Sequence, residues 1–141
     1  MKLHSIIALL LLLFLFACSP CDIDQPDTAA NRKGFEENLG FRPTKEITDV
    51  YFYADEWGGD AKYLLAFKAP PNVVDAIVKQ QELKRESNQG YDSDSERFPW
   101  WSSEFRRQAE FYQFEDERRE ILRQLWHDPA TGRCHFRLVY W

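Results

Sequence analysis

The stretch Asp49-Val50-Tyr51-Phe52-Tyr53-Ala54-Asp55-Glu56-Trp57-Gly58-Gly59-Asp60-Ala61-Lys62-Tyr63-Leu64-Leu65-Ala66-Phe67-Lys68 decides the fold. Val50, Phe52 and Ala54 alternate with Tyr51 and Tyr53, and Tyr63, Leu65 and Phe67 alternate with Leu64 and Ala66. A period of two is the signature of a strand. The segment between them carries Gly58 and Gly59, which supply the positive φ that a hairpin turn requires. Both faces of both strands carry apolar groups, so this hairpin is expected to lie centrally in a sheet covered on each side.

Outward from the hairpin, Pro70-Pro71 ends the second strand, and Asn72 with Asp75 reads as an N-capping pair. Val73, Ala76, Ile77 and Leu83 share one helical face, which predicts a helix over 73–84 that packs on the hairpin. Upstream, Ala29 to Leu39 reads as a short helix with Phe35 and Leu39 as its apolar contacts, ended by Gly40. Downstream, Glu86 to Arg97 is polar and reads as a surface loop, and Phe98-Pro99-Trp100-Trp101 returns the chain abruptly to the apolar interior.

Residues 104–126 fit a helix, with Phe111, Phe114, Ile121, Leu122 and Leu125 near one face. They also fit two strands, Phe111 to Phe114 and Ile121 to His127. Asp128-Pro129-Ala130-Thr131-Gly132 is turn chemistry, and Cys134, Phe136, Leu138 and Tyr140 alternate with His135, Arg137, Val139 and Trp141 in a half-buried strand. A turn followed by a strand favours the strand reading. The expected fold is α+β, an antiparallel sheet with a helix packed on one face, as a single domain over 29–141.

The N-terminus has a different character. Lys2 precedes an apolar run from Ile6 to Phe16, and small Ala17 stands before Cys18. That order is a secretory signal peptide. The run is shorter than the ~20 apolar residues of a comfortable membrane span. A plain cleaved signal needs small residues at two positions before the cut, and Phe14 to Ala17 supplies one. Leu15-Phe16-Ala17-Cys18 resembles the lipobox of bacterial lipoproteins. That resemblance implies removal of residues 1–17, acyl chains on Cys18, and a membrane partner reached through those chains. Two or three chains anchor stably, since each buried methylene contributes ~0.8 kcal/mol. Ser19, where retained lipoproteins have Asp, implies the outer membrane if the source is Gram-negative. Residues 18–28, polar and broken by Pro20 and Pro26, read as a tether.

The formal charge is −5, and it becomes one unit more negative once Lys2 is removed. An acidic domain lacks the basic footprint of nucleic-acid binding. With Cys18 acylated, Cys21 and Cys134 are left, and an oxidising envelope would permit their pairing; a buried Cys134 and a free Cys21 is the plainer alternative.

Other chemistry is thinly represented. Asp92-x-Asp94-x-Glu96 starts like a calcium loop, but Arg97 and Ser103 stand where Gly and Glu are required. His127 and Cys134 could face each other, with Asp128 and His135 nearby, yet zinc needs three or four convergent ligands. No phosphate loop or nucleophile elbow occurs, so neither a cofactor nor a metal is expected and a non-enzymatic role ranks ahead of catalysis.

Trp57, Trp100 and Trp101 are the candidate interaction surface, with core anchoring as the commoner role for the double Trp. The expected function is a non-catalytic envelope lipoprotein that acts as a protein-interaction module on the periplasmic or extracellular face. The alternative is an inhibitor or immunity-type lipoprotein that neutralises a toxin or lytic enzyme.

Overall fold

A computed structural model describes residues 22–88 and 98–141. The elements are α1 (Ala29–Leu39), β1 (Thr48–Trp57), β2 (Asp60–Lys68), α2 (Pro71–Gln80), β3 (Lys84–Glu86), α3 (Ser103–Gln108), β4 (Glu110–Asp116), β5 (Ile121–His127) and β6 (Arg133–Tyr140). The strands form one antiparallel sheet in the order β1-β2-β6-β5-β4-β3. The N-terminal hairpin β1–β2 and the three strands β3, β4 and β5 are thus joined by the last strand, β6, which sits between them. The α+β class and the antiparallel sheet agree with expectation.

The hairpin forms as its alternation requires, and its turn is tighter than Asp55 to Ala61. Trp57 pairs directly with Asp60, leaving Gly58 and Gly59 as the two turn residues. Only Gly58 has positive φ, at 61°, the arrangement of a type II′ turn that carries glycine first. The expectation that both hairpin strands lie centrally holds for β2 alone. β1 is an edge strand, and β6 takes the central place. β6 is also buried from Cys134 to Leu138 on both faces, not half-buried, because aromatic side chains cover the side where His135 and Arg137 lie.

Residues 104–126 resolve into a six-residue helix followed by two strands, so the strand reading holds from Glu110 onward. Ser102 caps that helix by accepting from the Phe105 N–H at 3.2 Å. α1 ends at Gly40 as expected. α2 starts two residues earlier and ends four residues earlier than predicted. Pro71, with preset φ and no N–H to satisfy, occupies its first turn in place of an Asn72 cap. Glu82, at φ 58°, then turns the chain so that Leu83 re-enters the core from outside the helix.

Two clusters fill the faces. α1 and α2 cover one side, where Phe35, Leu39, Ile77, Phe52, Leu65, Phe67, Leu125 and Phe136 pack together. Phe35 meets Phe67 edge-on at 5.1 Å. The other side is covered by residues 98–109, with Trp100, Trp101, Ala109, Phe111 and Trp126 packed on Leu64 and Ala66. α1 can approach β1 closely because residue 34 is glycine: a Cβ there would lie 2.3 Å from the Phe52 ring.

The expected tether over 18–28 is held to the domain from Asp22 onward. Buried Asn31 accepts from the Asp22 N–H and donates through Nδ2 to the carbonyls of Gln25 and Val50. Asp27 accepts from the N–H groups of Asp49 and Val50 and from Arg32. Trp100 Nε1 donates to the Ile23 carbonyl at 2.9 Å. The composition is that of a linker, but short polar side chains bond backbone readily, and here they bind this segment along the β1 edge.

Trp101→Ala should lower unfolding free energy by about 3–5 kcal/mol, the usual cost of emptying a buried Trp site. Gly34→Ala should cost about 1–3 kcal/mol by forcing Phe52 aside. Urea unfolding of each variant measures both.

Candidate functional site

The three tryptophans selected as a candidate surface separate in the structure. Trp101 is wholly buried and Trp100 nearly so, which removes both from any binding surface; Trp57 is 84% exposed. The Trp100 ring lies between Tyr51 at 5.4 Å and Phe98 at 5.0 Å, nearly parallel to each. Trp101 stacks on the His135 ring at 4.6 Å and meets Trp126 edge-on at 6.0 Å. An irregular segment has few backbone bonds to hold it, so two large rings seated on the sheet provide the anchorage.

This layer encloses charge. The Arg106 guanidinium lies 4.4 Å from the Trp101 ring centroid and 5.6 Å from that of Trp126. Its Nη1–H donates to His135 Nδ1 at 3.3 Å, which leaves the ring proton on Nε2. Arg137 donates from Nε to Gln124 Oε1 at 2.7 Å, and Gln124 in turn donates to Gln113 Oε1 at 2.7 Å. Arg133 covers the Phe105 ring at 4.5 Å. Burial, reinforced by the Arg137 and Arg133 charges, lowers the Arg106 pKa to about 10. Burial and the Arg106 and Arg133 cations hold His135 well below the ordinary histidine range, so its ring is neutral.

Cys134 and His127 are direct cross-strand partners, as the turn between them suggests. His135 points to the opposite face, and Asp128 is turned into the loop, bonded to Thr131 and the Ala130 N–H. The four groups therefore do not converge, and no group of three ligands gathers among the described residues. Burial pushes the Cys134 thiol far up, into its protonated and unreactive form. Cys134 is a free thiol in the main core, while Cys18, Cys21 and the Asp92, Asp94 and Glu96 stretch lie outside the described residues.

Two exposed features remain. The first is an aromatic end of the sheet. Tyr140 and Trp141 at the close of β6 are 39% and 42% exposed, and with Trp57, Asp55, Asp60 and Lys62 they line a shallow recess. The Trp141 N–H donates to the Glu120 carbonyl at 3.1 Å, which holds the C-terminal backbone beside the β4–β5 turn. Tyr140 and Trp141 were missed as site residues because their place beside Trp57 depends on β6 pairing with β2, a contact between distant parts of the chain.

The second feature is a groove of about 730 Å³ on the helix-bearing face, where α1 leaves the outer part of the sheet uncovered. Phe52, Ala54, Tyr63, Leu138 and Tyr140 form its floor, with Lys33, Glu37, Glu56 and Arg123 around it. The Tyr63 hydroxyl donates to Glu56 Oε1 at 2.6 Å, and that carboxylate, with some burial, raises the phenol pKa to about 12. A phenol so held is a donor and a stacking surface, not a proton-transfer group near neutral pH.

His135 supplies a pH test. Its folded-state pKa is depressed, so the unfolded chain takes up a proton that the folded one refuses as pH falls below the ordinary value of about 6.5. Stability should be level above pH 7 and drop by about 1.4 kcal/mol per pH unit for this group below pH 6. Denaturant titrations at pH 7.5 and 5 measure the loss together with that from His127, whose pKa burial also lowers, and the His135 ring signals should not titrate across that range in the folded protein. Cys134 should resist alkylation until the protein is unfolded.

No family model, curated protein or solved structure matches this chain.

Proposed function

We propose that this protein is a lipid-anchored, non-catalytic interaction module of the bacterial envelope that binds a protein partner through the aromatic end of its sheet. The observation that carries the reading is Trp57, 84% exposed at the tip of a hairpin beside Tyr140 and Trp141. Rigid aromatic groups offer large contact area at low entropic cost, which is why Tyr and Trp dominate binding hot spots.

The position of the N-terminal segment supports this orientation. Residues 22–28 are bound beside Val50, at the opposite end of β1 from Trp57. Seven strand residues separate those points by about 23 Å. An acyl group on Cys18 would be joined to Asp22 by a link of at most about 14 Å. The domain would then sit close against the lipid with its aromatic end facing away.

The inhibitor reading has its own observation. Asp55, Glu56 and Asp60 flank Trp57 on the same hairpin, so the tip is a bulky ring between carboxylates. That shape and charge suit insertion into a basic cleft of a toxin or lytic enzyme.

Cys18→Ala should leave an unprocessed precursor or release the protein from membranes, read by fractionation of the native host. Normal membrane-bound mature protein would remove the anchor from the proposal. A photo-crosslinking amino acid at Trp57 should capture a protein in intact cells, with little capture from a control position at Lys84. A resident envelope protein supports the module, a secreted toxin or hydrolase supports the inhibitor, and crosslinks to lipid alone would end both.

A further inference from the structure

The sheet has one long edge whose main-chain groups are partly open. Val50 sets the phase of that edge. Its N–H donates to Asp27 at 3.3 Å and its carbonyl accepts from the Asp27 N–H at 2.8 Å, so both groups point away from β2. Main-chain groups alternate sides along a strand. Phe52, Ala54 and Glu56 therefore also point outward, while Tyr51, Tyr53 and Asp55 face Ala66, Leu64 and Lys62. β2 gives an independent check: the Ala69 N–H donates to the Gly132 carbonyl beside β6, so the odd positions of β2 turn to β6 and its even positions turn to β1. No described residue bonds the outward N–H and C=O groups of Phe52, Ala54 and Glu56, and of these Ala54 and Glu56 reach solvent while Phe52 is 4% exposed.

The two ends of this gap differ. Below it, Asp27 closes the edge at Asp49 and Val50; above it stands exposed Trp57. The side chains of Phe52, Ala54 and Glu56 line the groove together with Tyr63, Leu138 and Gly34. A strand laid along the edge would thus hold its own alternate side chains over the groove mouth. The opposite edge offers no equivalent, because β3 has three residues.

Charge selects the occupant. Asp49 is paired with Lys68 and Asp55 lies opposite Lys62, but Glu56 and Asp60 stand at the open end of the edge, and no Lys or Arg occurs from Asp49 to Asp60. Acidic residues on an open edge deter pairing with a second copy, which would bring the same carboxylates, and favour a basic strand. Resting on the interaction-module reading, we propose that an extended segment of a protein partner, bearing Lys or Arg among alternating apolar residues, adds to β1 as a seventh strand along Phe52 to Trp57. Main-chain bonds to Ala54 and Glu56 would supply affinity, and the groove and carboxylates would supply selectivity.

The test uses a displayed library of random linear dodecapeptides, selected on the purified mature protein, with enriched peptides synthesised and titrated by fluorescence anisotropy. Enriched sequences should alternate apolar and basic residues. Ala54→Pro should weaken their binding at least tenfold, since proline removes an outward N–H and is tolerated at an edge. Thermal unfolding checks that this variant folds. If it does not, peptides N-methylated at alternate amides should show the same tenfold loss against the unaltered protein. Failure to enrich peptides, acidic consensus sequences, or affinity indifferent to Ala54→Pro and to N-methylation would each overturn the proposal. Dimerisation in sedimentation that Ala54→Pro abolishes would also overturn it, by assigning the edge to a second copy. A partner crosslinked at position 57 that still binds Ala54→Pro would refute the added strand and leave the interaction module standing.

Discussion

β6 pairs with β2 along one side and with β5 along the other, and no other strand joins the hairpin to β3, β4 and β5. The sheet therefore depends on a segment that is last in sequence and central in space. Central placement demands that both of its faces be shielded. On one face Cys134, Phe136 and Leu138 meet the helices, the ordinary solution of hydrophobic burial. On the other, His135 and Arg137 must be covered as well, and hydrophobic burial alone does not explain how polar groups stay there.

The answer lies in the aromatic cover. Indole rings remove His135 and Arg106 from water while offering their π faces to the guanidinium groups. His135 stays neutral and accepts from Arg106, so the ring adds no further cation to a region that holds Arg106, Arg133 and Arg137. Gln124 and Gln113 carry the polarity of Arg137 outward along the sheet through two bonds of 2.7 Å. Trp100 and Trp101 thus serve as a lid over charge, a structural task that accounts for their place after an irregular stretch.

Local features were legible in the sequence and long-range ones were not. The Val50–Ala54 and Tyr63–Phe67 alternation and the Gly40 stop depend on neighbours within a few residues, and they stand as read; the hairpin turn is where it was read but tighter, with positive φ at Gly58 and not at Gly59. The rank of each strand within the sheet depends on which distant strand pairs with it, and alternation carries no such information. That is why β1 was expected inside and β6 half in water. Polar residues at 135 and 137 have the pattern of a solvated face, and only the tertiary cover makes it an interior. The same gap hid the candidate surface: Trp57 was visible as a loop-tip aromatic, but its neighbours Tyr140 and Trp141 join it through β2–β6 pairing. Asp27, which binds the supposed tether to the β1 edge, sits in a composition indistinguishable from that of a linker, and nothing local marks Asn31 of α1 as its second anchor.

Trp57 is the residue that folding does not explain. The type II′ turn beside it needs glycine at 58 and asks nothing of residue 57, and its cross-strand partner is Asp60, which offers no apolar surface. An indole left 84% in water gains little of the burial energy that Trp101 gains in the core, since that energy scales with area removed from water. The five other aromatic residues of the two hairpin strands, Tyr51, Phe52, Tyr53, Tyr63 and Phe67, are buried or half-buried. The hairpin thus spends aromatic side chains on packing wherever there is a surface to pack against. At its tip it carries one that the described residues leave 84% in water, and covering it is what the proposed partner would do.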